Sequence, residues 1–202
     1  MMIRTLKHLA AMLLASIAFS GGAHAQAKAP DVMVKEGVAE VLAAIKKNPD
    51  PRALQAFAEE RLLTQFDFTA MTRLATGRAW RQATDAQKKA LENAFRTLLV
   101  RTYTTALAQV TGEFVVEVKP LVAGAKDTDA LVKTVVKSSE RPPVAIDFRT
   151  ARGADGWKVY DVVVENLSLV TNYRSSFQSE ISRHGIDGLI KTIEDKNAKA
   201  AS

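Results

Sequence analysis

The chain has no cysteine among its 202 residues. Disulfides, thiolate metal sites and cysteine nucleophiles are therefore excluded, and the fold must rely on its apolar core. Histidine is almost as scarce. Of three, His8 and His24 fall in the N-terminal segment, which leaves His184 beside Gly185. A histidine-rich zinc site is impossible within one such chain. A Ser-His-Asp triad would have to use His184, and there is no Gly-x-Ser-x-Gly elbow. Gly-rich phosphate loops are missing as well. The formal charge of +6 is mild once Arg4 and Lys7 of the N-terminal segment are set aside. It suits attraction to an anionic surface or acidic headgroup, without the clustered basic-aromatic pattern of a nucleic-acid binder.

What is present begins with a targeting signal. Arg4 and Lys7 form a positive start, Leu9 to Phe19 is an apolar run, and Ala23-His24-Ala25 is a small-x-small cleavage pattern. The run falls short of the ~20 apolar residues that span a bilayer. Residues 1–25 are expected to be a cleaved signal peptide, giving an exported, soluble, periplasmic protein. Residues 26–195 are expected to form a single α+β lipid-binding domain, and residues 196–202 a flexible tail.

The N-terminal half reads as helices. Val34, Val38, Val41, Leu42 and Ile45 recur at helical spacing between Asp31 and Lys47. Asp50 and Pro51 suit the cap and first position of a helix running to about Leu63. Asp67 caps a short helix, with Phe66 and Met71 placed as a hydrophobic staple and Gly77 as its stop. Thr84-Asp85-Ala86-Gln87 is a capping box for the longest helix, Asp85 to about Val110, whose apolar stripe includes Leu91, Phe95, Leu99 and Tyr103.

At Gly112 the period changes. Phe114, Val116 and Val118 alternate with more polar neighbours, as do Val132, Thr134 and Val136, and then Val144, Ile146 and Phe148. The last strand, Trp157 to Asn166, is apolar on both faces, and strict alternation puts Val159, Asp161 and Val163 on one side. Four consecutive strands with short links predict an antiparallel sheet. A helix striped by Leu169, Tyr173, Phe177 and Ile181 follows, capped by Ser168 and ended by Gly185, before a last short helix from Ile186 to Glu194. Helices, then strands, then helices make the class α+β.

Little chemistry remains to assign. Asp161, if buried, is a candidate base, with Tyr103 and Tyr160 as donors, which is the logic of a small isomerase or hydratase. The alternative is a carboxylate satisfied by a neighbouring arginine or by backbone N–H groups. Composition and spacing alone leave a binding protein, an adaptor and an enzyme all open.

Several segments carry a resemblance. Phe66-Asp67-Phe68, Met71-Thr72-Arg73-Leu74-Ala75 and Gly77-Arg78-Ala79-Trp80 resemble the signature of the MlaC (toluene-tolerance) family. The likeness continues through Leu99 to Tyr103, Trp157 to Val162, Leu167 to Val170, Asn172 to Phe177 and Gly185 to Leu189. It implies helices packed around a four-stranded antiparallel sheet enclosing an apolar cavity. It also implies a non-enzymatic carrier of glycerophospholipid, shuttling between an outer-membrane Mla lipoprotein–porin complex and an inner-membrane Mla ABC transporter to maintain outer-membrane lipid asymmetry. Neither metal nor cofactor is implied, and no fixed headgroup residue can be placed. With the pocket set between one sheet face and the long helix, strand alternation and helix stripes nominate ten lipid-binding residues. They are Leu99, Tyr103, Val116, Val118, Val132, Val136, Ile146, Phe148, Val163 and Phe177.

Overall fold

A computed structural model describes residues 28–110, 112–121, 127–138 and 142–200. The expected signal peptide lies outside the described residues. Helix α1 spans Pro30–Lys47 and α2 spans Pro51–Phe57. The Asp50 carboxylate accepts from the N–H groups of Arg52 and Ala53, both at 3.0 Å. Beyond Phe57 the chain stays coiled but loosens into a π turn, Ala58–Leu62, and then tightens into a 3₁₀ turn, Leu63–Gln65. The expected single helix to Leu63 is thus three kinds of turn. Helix α3, Phe68–Thr76, starts on Asp67, whose side chain accepts from Ala70 N–H at 2.8 Å. It stops at Gly77, where φ is +59°, a value that favours a residue without a Cβ.

Short α4, Ala79–Gln82, leads to α5, Asp85–Ala108. The capping box is complete: Thr84 Oγ1 accepts from Gln87 N–H, and the Gln87 side chain accepts from Thr84 N–H. Helix α6, Arg174–Lys199, closes the chain and is interrupted at Gly185, whose φ of +71° breaks the helical path. It continues past Lys196, where a tail was expected. Asn197 is buried and donates to the Ala94 carbonyl at 2.9 Å.

The sheet has five strands in sequential antiparallel order: β1 Phe114–Val118, β2 Asp129–Ser138, β3 Val144–Gly153, β4 Gly156–Val164 and β5 Leu167–Ser168. The fifth is a two-residue strand hydrogen-bonded to the end of β4, where the sequence predicts only a helix cap at Ser168. That reading holds in part, since Ser168 Oγ accepts from Thr171 N–H at 2.9 Å.

One irregularity changes which residues share a face. Arg149 stands opposite Asp161, yet the next residue, Thr150, stands opposite Val159. Tyr160 is therefore an extra residue, a β-bulge in β4. Alternation reverses across it, so Val159 and Val163 lie on opposite faces, against the expectation from strict alternation.

Two separate cores result. The helical core gathers Met71, Ala75, Leu91, Phe95, Leu99, Val170, Phe177, Leu189 and Ile193 from α3, α5, α6 and the turn before α6. Phe95 meets Tyr173 and Phe177 edge-on, with centroids 5.2 Å apart in each case, the geometry that the ring quadrupole favours. The sheet core gathers Met33 and Val34 of α1 with Val132, Trp157 and Val159. Phe66 packs against both cores. It sits beside Val159 in a parallel bridge at the β4 edge, and Asp67 N–H donates to the Val159 carbonyl at 2.9 Å.

Candidate functional site

Directly paired residues of neighbouring strands project from the same face of a sheet. The register therefore assembles one apolar face. Val116 stands opposite Val136, and Val136 opposite Val144. Val118 stands opposite Thr134, and Thr134 opposite Ile146. Val132 stands opposite Phe148, and Phe148 opposite Val162. Ile146 stands opposite Val164. The other face carries Glu117, Lys133, Lys137, Asp147, Arg149 and Asp161.

Helix α1 covers only part of the apolar face. Val132 is fully buried there, packed with Val34, Trp157 and Val159. Val116, Val136, Val144, Ile146 and Val164 are only half-buried, and they lie outside that core. A band of valine and isoleucine side chains toward one end of the sheet thus keeps access to solvent.

Six of the ten nominated residues, Val116, Val118, Val132, Val136, Ile146 and Phe148, are on this face. Val163 is not. It stands opposite Asp147 on the charged face, because the Tyr160 bulge reverses the alternation. Leu99 and Phe177 are buried within the helical core, and Tyr103 packs against it half-buried. Helix α5 makes its principal contacts with α2, α3 and α6, and the helix lying over the sheet is α1. The site anticipated between sheet and long helix therefore divides into six residues on the apolar sheet face, three in or against the helical core, and Val163 on the charged face. Val144, Val162 and Val164 belong to the face and were not nominated. The last two were missed because nothing in a run of β-forming residues marks Tyr160 as an insertion.

Asp161 is fully buried, and both carboxylate oxygens are engaged. One accepts from Arg149 Nη1 at 3.2 Å and the other from Val170 N–H at 3.3 Å. This is the satisfied carboxylate of the sequence reading. It anchors the turn into α6 to β4. Tyr103 lies within electrostatic reach. Burial first, then Tyr173 and Asp161, push its hydroxyl pKa up to about 12. On the charged face Glu117 is held between Lys119 and Lys137, and these hydrogen bonds lower its pKa to about 2.

Two surface hollows lie elsewhere. One, about 470 Å³, is lined by Met33, Gln65, Trp157 and Lys158 among others. The other, about 300 Å³, lies between Arg149 and the segment from Asn166 to Asn172. Neither contains any of the ten nominated residues. Among the described residues, no group of three or more acidic or histidine side chains is placed to hold a metal ion. No described helix is long and apolar enough to cross a membrane.

Comparison with known proteins places this arrangement. A phospholipid-binding protein from Ralstonia solanacearum, solved in complex with a phospholipid, superposes with a TM-score of 0.76 at 36% sequence identity, covering 85% of this chain and 98% of that one. The family profile of the MlaC protein matches residues 34–195, which takes in every described element except the ends of α1 and α6. The chain belongs to the MlaC protein family.

Proposed function

We propose that this protein is a periplasmic phospholipid carrier and not an enzyme. In this reading the half-buried valine and isoleucine band of the sheet takes the acyl chains, and the headgroup stays in solvent. The observation that carries it is the band itself: apolar side chains from four adjacent strands, aligned by register and left outside the α1 core. The phospholipid held by the R. solanacearum neighbour, 36% identical over most of this chain, supports the same ligand class.

The physical need is plain. Each methylene exposed to water costs about 0.8 kcal/mol, so a diacyl lipid does not cross an aqueous space unaided at a useful rate. A carrier must shield the chains and has no comparable need to grip the headgroup. Val116, Val136, Val144, Ile146 and Val164 are the residues proposed to touch lipid, with Val118 and Phe148 at the margin of the α1 core. Leu99 and Phe177 act as the closed wall of the helical core, with Tyr103 at its margin. Membership of the MlaC family suggests the two ends of the route, an outer-membrane Mla lipoprotein–porin complex and an inner-membrane Mla ABC transporter. Residues 1–25 would direct export as a cleaved signal peptide, and the lipid traffic would serve outer-membrane lipid asymmetry.

The test is a transfer assay with labelled phospholipid. Protein loaded with the lipid is mixed with vesicles bearing the inner-membrane complex or the outer-membrane complex. Protein-dependent movement above the spontaneous rate is expected for at least one. No movement with either, from protein verified to be loaded, would overturn the shuttle.

A further inference from the structure

Among the described residues, the outer edge of the sheet is an open strand. β1 pairs with β2 on one side only. Its hydrogen-bonding phase is fixed by one bond: Lys119 N–H donates to the Lys133 carbonyl at 2.9 Å. Lys119 and Lys133 are therefore a hydrogen-bonded pair, and so, at two-residue intervals, are Glu117 with Val135 and Val115 with Lys137. The N–H and C=O groups of Phe114, Val116 and Val118 then point away from β2, toward the open edge.

Edge strands are commonly guarded by short length, charged side chains, proline or bulges, and here Lys119 and Pro120 end the edge just beyond Val118. The outward-bonding positions here are phenylalanine and two valines, all strong strand formers, and the ladder beside them is regular. Val115, between them, is 67% exposed.

We propose that this edge pairs with the same edge of a second copy of the chain, antiparallel and centred on Val116. The phase permits it. With Val116 opposite its own counterpart, Phe114 stands opposite Val118 of the second copy, and all three residues present outward-pointing groups to one another. The charges permit it as well, because Glu113 then stands opposite Lys119 of the second copy and the two ends of the pairing are equivalent. Moving the centre to Val115 or to Glu117 keeps the hydrogen-bonding phase but sets Glu113 opposite Glu117, or Glu117 opposite itself, so charge selects the register centred on Val116. The pairing joins the two sheets into one and makes their apolar faces continuous. The proposal rests on the open edge alone and stands whether or not lipid is the ligand.

The test uses the absence of cysteine in the chain. In a hydrogen-bonded antiparallel pair the Cα atoms lie ~5.5 Å apart, within disulfide range. Val116→Cys is therefore expected to form a disulfide-linked dimer under mild oxidation. Leu131→Cys, 40% exposed on β2 outside the five β1 positions, should not. Sedimentation of the unmodified mature protein should give a mass that rises from monomer toward dimer with concentration. Val116→Pro should hold it at monomer, because the N–H that it deletes takes no part in the β1–β2 ladder. Glu113→Lys should weaken association, and adding Lys119→Glu should restore it. A monomer at all concentrations, or equal crosslinking of the two cysteine variants, would overturn the proposal. Phospholipid measured by mass on the Glu113→Lys protein, changed outside the proposed lipid face, separates this outcome from loss of lipid binding.

Discussion

The two cores are built from similar residues and finished differently. In the helical core the large side chains are sealed: Phe95 is 0% exposed, and Leu91, Leu189 and Ile193 are each 1% exposed. On the apolar sheet face only Val132 reaches that state among the candidate residues, and Val116, Val136 and Ile146 remain half-buried. The lesson is that apolar content does not distinguish scaffold from site. What distinguishes them is whether a second element completes the burial. Helices α3, α5 and α6 complete it for one another, whereas α1 covers only part of the sheet. A closed core stabilises the fold, and an uncovered apolar band leaves contact area for a ligand.

That contrast is sharpest under substitution. Phe95→Ala should cost the most, about 3–5 kcal/mol, since it removes a fully buried ring together with two edge-on aromatic contacts. Urea denaturation measures it, and any lipid loss should follow loss of fold. Val136→Glu and Ile146→Glu should reverse the pattern. On a half-buried band they should cost about 1 kcal/mol of stability while abolishing co-purifying lipid. If lipid comes through unchanged in both, the proposed face is wrong.

Effects on stability alone, smaller than that of Phe95→Ala, probe the joint between the cores. Asp161→Ala strips the partner from the buried Val170 N–H and should destabilise by about 1–3 kcal/mol, with little change in lipid bound per folded molecule. Asp67→Ala removes the α3 cap and should cost about 1 kcal/mol. The smallest effects come from pH. Tyr103 has its pKa raised on folding to about 12, so the folded state holds its proton more tightly than the unfolded one. Its contribution is intact below pH 10 and is lost as pH rises from 10 toward 12. Glu117 has its pKa lowered to about 2. Its contribution is present above the unfolded value near 4.5 and fades as pH falls toward 2, by an amount that salt should screen because the group is exposed. Thermal melts across both limbs, with Tyr103→Phe and Glu117→Gln as references, check the signs.

Much of this was legible in the residues because the local signals were chemically specific. Asp50, Asp67 and the Thr84–Gln87 box cap helices because their side chains reach unpaired N–H groups whatever the tertiary context. Gly77 and Gly185 stop helices at positive φ. The strands of the sheet followed from alternation, and so did the shared face of Val116, Val132, Val136, Ile146 and Phe148. What did not follow was anything decided at a distance. The Tyr160 bulge depends on how β4 meets β3, and it moved Val163 to the charged face. The pairing of Leu167 and Ser168 with β4 depends on the tight turn at Glu165 and Asn166, both of which adopt positive φ without being glycine. The docking of α6 past Lys196 depends on the carbonyl of Ala94, 103 residues earlier. Which helix covers the sheet is likewise a tertiary choice. An amphipathic stripe states that a helix must pack and leaves the partner unspecified, so α5 could be assigned to the sheet as readily as α1.

The central claim is that the uncovered band holds phospholipid. Its most direct test is native mass spectrometry of the protein taken from a periplasmic extract, followed by denaturation and identification of whatever is released. A stoichiometric adduct of phospholipid mass, lost in Ile146→Glu while the protein stays folded, is the predicted result. A clean protein mass from the extract, unchanged after incubation with phospholipid vesicles and a transport partner, would contradict it.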